Sequence, residues 1–163
     1  MAQQKLFSTT QLTPEFALGR RMGIATFLTA PISENLEDFD VGIVGVPFDG
    51  GMSGTPGAGD APREIRSQCV RRGIGTYNPA LKVNPSKKLR ICDCGDIILS
   101  RFSVTQASKA ITEAVTTMLH KNILPICVGG NHFITYPILK AIFQKHGPVA
   151  VVSFDSHMDV ADR

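Results

Sequence analysis

From Asp40 onward the apolar positions fall into short blocks of two kinds. Val41-Gly42-Ile43-Val44-Gly45-Val46 is a continuous apolar run stopped by Pro47, the pattern of a strand buried on both faces. Leu89 to Asp96 and Ile123 to Val128 read the same way, and Val149-Ala150-Val151-Val152-Ser153-Phe154 is a β-branched run that predicts a central strand. Between these blocks the period changes to that of a helix. Ala107, Ala110, Ile111, Ala114, Val115 and Met118, widened by Leu119, form one apolar face over Thr105–Lys121. Ala61–Arg72 carries helix punctuation: Asp60 at the N-cap, Pro62 in the first turn and Gly73 beyond the end. A third helix is predicted from about Phe133 to Lys145, closed by Gly147 and Pro148. Phe48–Asp60, with glycines at 50, 51, 54, 57 and 59 and Pro56, reads as a long loop, as do residues 74–88.

Strands alternating with helices, each strand continuously apolar, predict an α/β fold with a parallel sheet covered by helices on both faces. Sites in such sheets form beyond the carboxyl ends of the strands. Three segments stand there: the glycine-rich loop, Gly129-Gly130-Asn131-His132, and Asp155-Ser156-His157-Met158-Asp159. Residues 1–38 show no sustained period and read as an N-terminal arm with one helical turn at most; residues 39–163 read as one domain.

Composition narrows the function. A chain of 163 residues, 43% hydrophobic, suffices for one domain with its own core. Its net charge of +3 comes without a basic run, which excludes an electrostatic nucleic-acid footprint. No secretory leader and no apolar run of membrane-spanning length are visible, so neither a membrane nor an oxidising compartment is expected, and the cytoplasm is the expected location. Cys69, Cys92, Cys94 and Cys127 lack the spacing of a disulfide framework or a zinc finger and read as buried thiols.

Asp155, His157 and Asp159 follow a predicted strand at alternating positions. In extended chain such residues project from one side, roughly 6–7 Å apart. Two carboxylates at the edge of a core are costly unless a cation or hydrogen-bond donors compensate them. Together with an imidazole they suit Mn²⁺, and also Fe²⁺, Co²⁺, Ni²⁺ or Zn²⁺. His132, 23 positions before Asp155 with one predicted helix between, can return to the same sheet edge as a fourth ligand.

Val-Gly-Val-Pro-Phe-Asp-Gly-Gly at 44–51, Asp-Cys-Gly-Asp at 93–96, Gly-Gly-Asn-His at 129–132 and Ser-Phe-Asp-Ser-His-Met-Asp at 153–159 resemble, in order and spacing, the agmatinase-like branch of the ureohydrolase (arginase and agmatinase) family. The resemblance implies a three-layer α/β/α fold with a mainly parallel sheet, incomplete here at the C-terminus, with residues 39–163 as the N-terminal part of a single ureohydrolase-like domain. It implies two divalent ions, Mn²⁺ before Ni²⁺ or Zn²⁺. His132, Asp155 and Asp159 would bind one ion; His157 and the other oxygen of Asp155 would bind its neighbour. The implied reaction is hydrolysis of a linear guanidino compound, such as agmatine or guanidinobutyrate, to urea and an amine, by a homo-oligomer of three or six chains.

Two places depart from the family pattern. Asn131 and Phe133 stand where an aspartate and a serine are usual, and Thr55, Gly59 and Asp60 where arginines and a phenylalanine are frequent. The family's later Asp-x-Asp ligand pair, its proton-transfer histidine and its guanidinium-orienting acid have no counterpart up to Arg163. No catalytic residue is therefore assigned within the segment, no substrate-binding residue is identified, and the segment alone is expected to bind metal poorly and to turn over nothing. The rival expectation is a non-catalytic subunit that stabilises or regulates an active homologue. A nucleotide-binding domain is disfavoured, because neither Gly-x-Gly-x-x-Gly at the first strand turn nor a P-loop occurs.

Overall fold

A computed structural model describes residues 24–50 and 56–157. Its elements are β1 (Val41–Val46), α1 (Ala61–Arg72), β2 (Ile91–Asp96), α2 (Val104–His120), β3 (Leu124–Gly129) and α3 (Thr135–His146), with short 3-10 turns between them. The strands form one parallel sheet in the order β2-β1-β3. β1 is its centre and is buried along its whole length.

Alternation along β1 sends successive side chains to opposite faces, and each face has its own helical cover. Val44 and Val46 join the main core with Ala107, Ile111, Val115, Met118 and Leu119 of α2 and with Ala141 of α3. Each such burial is worth about 1.5–3 kcal/mol for the larger side chains, which makes the α2 stripe the principal support of the sheet. On the opposite face a Cβ at Gly45 would meet Pro62 of α1 at 2.9 Å, so that helix lies close against the strand.

Local signals explain the helix ends. Ser103 Oγ accepts a hydrogen bond from the Gln106 N–H at 3.3 Å and caps α2. Gly73 closes α1 in the left-handed conformation (φ 60°, ψ 41°) with its N–H on the carbonyls of Cys69 and Val70. Asp60 departs from the expectation. It holds the N-cap position, but its backbone is already helical and its carboxylate pairs with Arg63 at 3.5 Å instead of capping.

Described residues of the arm do more than trail from the domain. Phe27–Thr29 makes one 3-10 turn, Ile32 bridges Asp93, and the Asp93 N–H donates to the Pro31 carbonyl while the Ser33 N–H donates to that of Asp93. Residues 31–33 thus cover the outer edge of β2. The four cysteines are free, Cys69 and Cys92 buried and the other two half-buried, in keeping with structural thiols; burial pushes the Cys127 thiol up to about 11.

The predicted strand at 149–154 is corrected. This segment pairs with no described strand, and its side chains are solvent-exposed, Phe154 entirely so. β-propensity expresses itself only where a neighbour supplies a ladder and an apolar face. Among the described residues, β3 pairs on one side only, with β1, and no strand pairs with the other.

Candidate metal centre

β3 ends at Gly129, and the chain turns back over the carboxyl end of β1. A Cβ on Gly130 would stand 2.1 Å from the Phe48 carbonyl oxygen and 2.8 Å from the Val46 oxygen, so only glycine allows the approach. The Gly130 N–H donates to Val46 and the Asn131 N–H to Phe48, at 3.0 and 2.9 Å. These bonds carry the β1–β3 ladder past its end and place His132 at the start of the 3-10 turn His132–Ile134 that feeds α3.

His132 Nδ1 lies 3.2 Å from Asp155 Oδ2, so the structure brings together two residues from turns 23 positions apart. The other carboxylate oxygen, Oδ1, lies 3.7 Å from His157 Nδ1 and accepts the His157 backbone N–H at 3.0 Å. That backbone bond is the main cause holding the Asp155 carboxyl below its ordinary range, with the charge of His132 adding to it. The geometry differs from the extended arrangement expected from the alternating spacing. The chain bends at Ser156–His157, and the His157 side chain is 80% exposed. Asp159 lies outside the described residues.

Two donors bound at about 2.1 Å and at right angles on one ion stand about 3 Å apart. The 3.2 Å contact of His132 with Asp155 matches that separation, and imidazole with carboxylate suits a borderline divalent cation. Among the described residues, however, no three His, Cys, Asp or Glu side chains gather as a metal-holding group.

Sequence reading missed a second polar cluster. Arg66 of α1 grips Asp93, which is 1% exposed within β2, and also reaches Asp96 at 2.6 Å and the Gly95 carbonyl at 2.8 Å. The Phe27 and Gly95 N–H groups donate to the same Asp93 carboxylate, and the Phe27 ring stacks 4.0 Å from the guanidinium carbon. Burial opposes the Arg66 charge, yet the two carboxylates more than offset it and raise its pKa. The available signal was a carboxylate inside an apolar strand, which demands a buried cation.

Comparison with known proteins places the chain. It is 36% identical over 151 residues to the human mitochondrial guanidino acid hydrolase, covering 93% of this chain and 42% of that protein. It is 40% identical over 143 residues to a Pseudomonas aeruginosa guanidinobutyrase, covering 86% and 44%. The fold matches a crystal structure of Trypanosoma cruzi formiminoglutamase with Mn²⁺ at a TM-score of 0.68 and 31% identity, covering 79% of this chain and 43% of that one. The chain therefore spans less than half the length of these relatives. Its residues 39–163 match the Arginase family, and the chain belongs to that family.

Proposed function

We propose that the protein carrying this chain is a metal-dependent amidinohydrolase that cleaves a linear guanidino compound, agmatine or guanidinobutyrate, to urea and an amine. The observation that carries the reading is the Asp155 carboxylate, whose two oxygens face two different imidazoles, His132 at 3.2 Å and His157 at 3.7 Å. A carboxylate so placed is suited to bridge two ions. His132 with Asp155 and Asp159 would hold one, and His157 with the second Asp155 oxygen the other. The related formiminoglutamase structure with Mn²⁺ favours manganese.

A guanidinium carbon is resonance-stabilised and resists neutral water; paired divalent ions supply water of lowered pKa. The part of this chain is to bind and orient. His132 and His157 offer ring nitrogens, and the Asp155 carboxyl, held below its ordinary range chiefly by the His157 backbone N–H, offers carboxylate oxygens. Part of the site lies beyond these residues in this reading, so the segment alone turns over no substrate. A homo-oligomer of three or six chains belongs to the same proposal. No helix among the described residues is long and apolar enough to cross a membrane. The cytoplasm is the location in this proposal, whereas the human relative is mitochondrial.

The exposed His157 side chain and the unusual Asn131 and Phe133 favour a second reading, a non-catalytic subunit that supports an active homologue. A urea-release assay on the protein carrying this chain, with Mn²⁺ and either agmatine or 4-guanidinobutyrate, decides between them. Turnover abolished by Asp155→Ala supports the enzyme. Its absence with both substrates, together with co-purification of a motif-complete chain, supports the subunit.

A further inference from the structure

The two residues that flank His132 both reach the start of the glycine-rich loop, Asn131 at Phe48 and Gly50 and Phe133 at Phe48. The Asn131 side chain donates from Nδ2 to the Gly50 carbonyl at 2.8 Å, and its backbone N–H donates to the Phe48 carbonyl at 2.9 Å. The Phe133 ring packs on the Phe48 ring with centroids 5.4 Å apart and a 45° tilt, and Phe48 is fully buried. Asp49, between the two contact points, accepts the N–H groups of Gly57 and Gly59 at 3.0 and 2.6 Å and so ties down the far end of the loop.

We propose that Asn131 and Phe133 form a two-point latch that positions the Phe48–Gly50 backbone, and through Asp49 residues 57–59, beside His132. They are positioning residues for the site proposed above, and the inference rests on that reading only for their effect on substrate. The chemistry explains both residue types. A carbonyl oxygen requires a donor, which fixes the orientation of the Asn131 amide, since a carboxylate at this position would set acceptor against acceptor. The remaining Asn131 oxygen, in a residue only 8% exposed, has no hydrogen-bond partner. A neutral oxygen tolerates that solitude far better than a charged one. Phe133 supplies the apolar half, since a serine at 133 would leave the Phe48 ring without its aromatic neighbour. The departures at 131 and 133 are thus one device, matched to the placement of Phe48–Gly50.

Hydrogen exchange by mass spectrometry on the protein carrying this chain, comparing the wild type with Asn131→Asp, Asn131→Ser and Phe133→Ser, tests the latch without metal or substrate. Loss of one hydrogen bond or one ring contact corresponds to about a fivefold change in local opening. Each substitution is expected to speed exchange of the Gly57 and Gly59 amides by about that factor, with peptides of 104–120 unchanged. Asn131→Ser keeps the test alive if the charged variant folds poorly. Unchanged exchange at 57–59 in both serine variants, or equal acceleration in 104–120, overturns the latch. In the protein carrying this chain, Asn131→Asp should raise KM for 4-guanidinobutyrate about tenfold with kcat within about twofold; a drop in kcat alone overturns the positioning role. A protein inert toward guanidino substrates defeats the functional reading, while the exchange result still decides the latch.

Discussion

Arg66 and Asp93 meet as a bidentate pair across the face of the sheet, Nε to Oδ2 at 2.7 Å and Nη2 to Oδ1 at 2.8 Å, with both side chains almost wholly withdrawn from solvent. The pair joins α1, β2 and the 3-10 turn at Phe27 through one carboxylate. Removing one member strands the other as a buried charge, which costs about 3–5 kcal/mol. Arg66→Met should therefore destabilise the chain by about that amount in urea unfolding. A loss under about 1 kcal/mol would show that solvent reaches Asp93 freely.

Gly130→Ala places a methyl group against the Phe48 backbone, which cannot move without disturbing the end of β1. Overpacking of this kind costs about 1–3 kcal/mol. Gly75→Ala, where no heavy atom lies within 4 Å of the new Cβ, should change stability by less than about 1 kcal/mol. Thermal unfolding of the two variants side by side measures the contrast.

At the other end of the sheet, Asp40 and Arg90 staple the entrances of β1 and β2 through three hydrogen bonds of 2.7–3.2 Å. The Arg90 guanidinium, aided by the Arg90 backbone N–H, lowers the Asp40 pKa from 3.8 to about 2. A carboxylate whose folded pKa is depressed stabilises the fold above its unfolded value and loses that contribution as pH falls through the folded one. Asp40→Asn should accordingly be less stable than the wild type above about pH 4, and the gap should close between about pH 4 and pH 2. A gap that persists at pH 2 would rule out the carboxylate as its source.

Metal affinity gives the most direct check on His132. In the protein carrying this chain, His132→Ala should weaken Mn²⁺ binding at least about tenfold by isothermal titration, with the circular dichroism spectrum retained. His120→Ala, at the end of α2, serves as the control. Equal affinity in the two variants would remove His132 from the ligand set.

Local chemistry was legible in the sequence wherever it was also sufficient. The Gly73 terminus and the α2 stripe each decide their own element, and β1 announces itself by its unbroken apolar run. Asp155 and His132 were readable as a pair because each follows an apolar run, and their side chains lie 3.2 Å apart although 149–154 joins no described strand. Residues 149–154 failed for a non-local reason, since a ladder needs a second strand and no window of six residues can report one. Arg66 was invisible on similar grounds. Four arginines punctuate α1, and only the packing of that helix on β2 selects the one that turns inward.

β3 also carries an implication for handling the protein. Its outer edge offers backbone groups unpaired among the described residues, next to exposed Leu124 and Ile126, while Val151, Val152 and Phe154 are exposed nearby in sequence. Such an edge is a template for intermolecular strand addition. The 163-residue chain in isolation should therefore self-associate as its concentration rises, and a lysine substituted for Ile126 should delay the onset of light scattering.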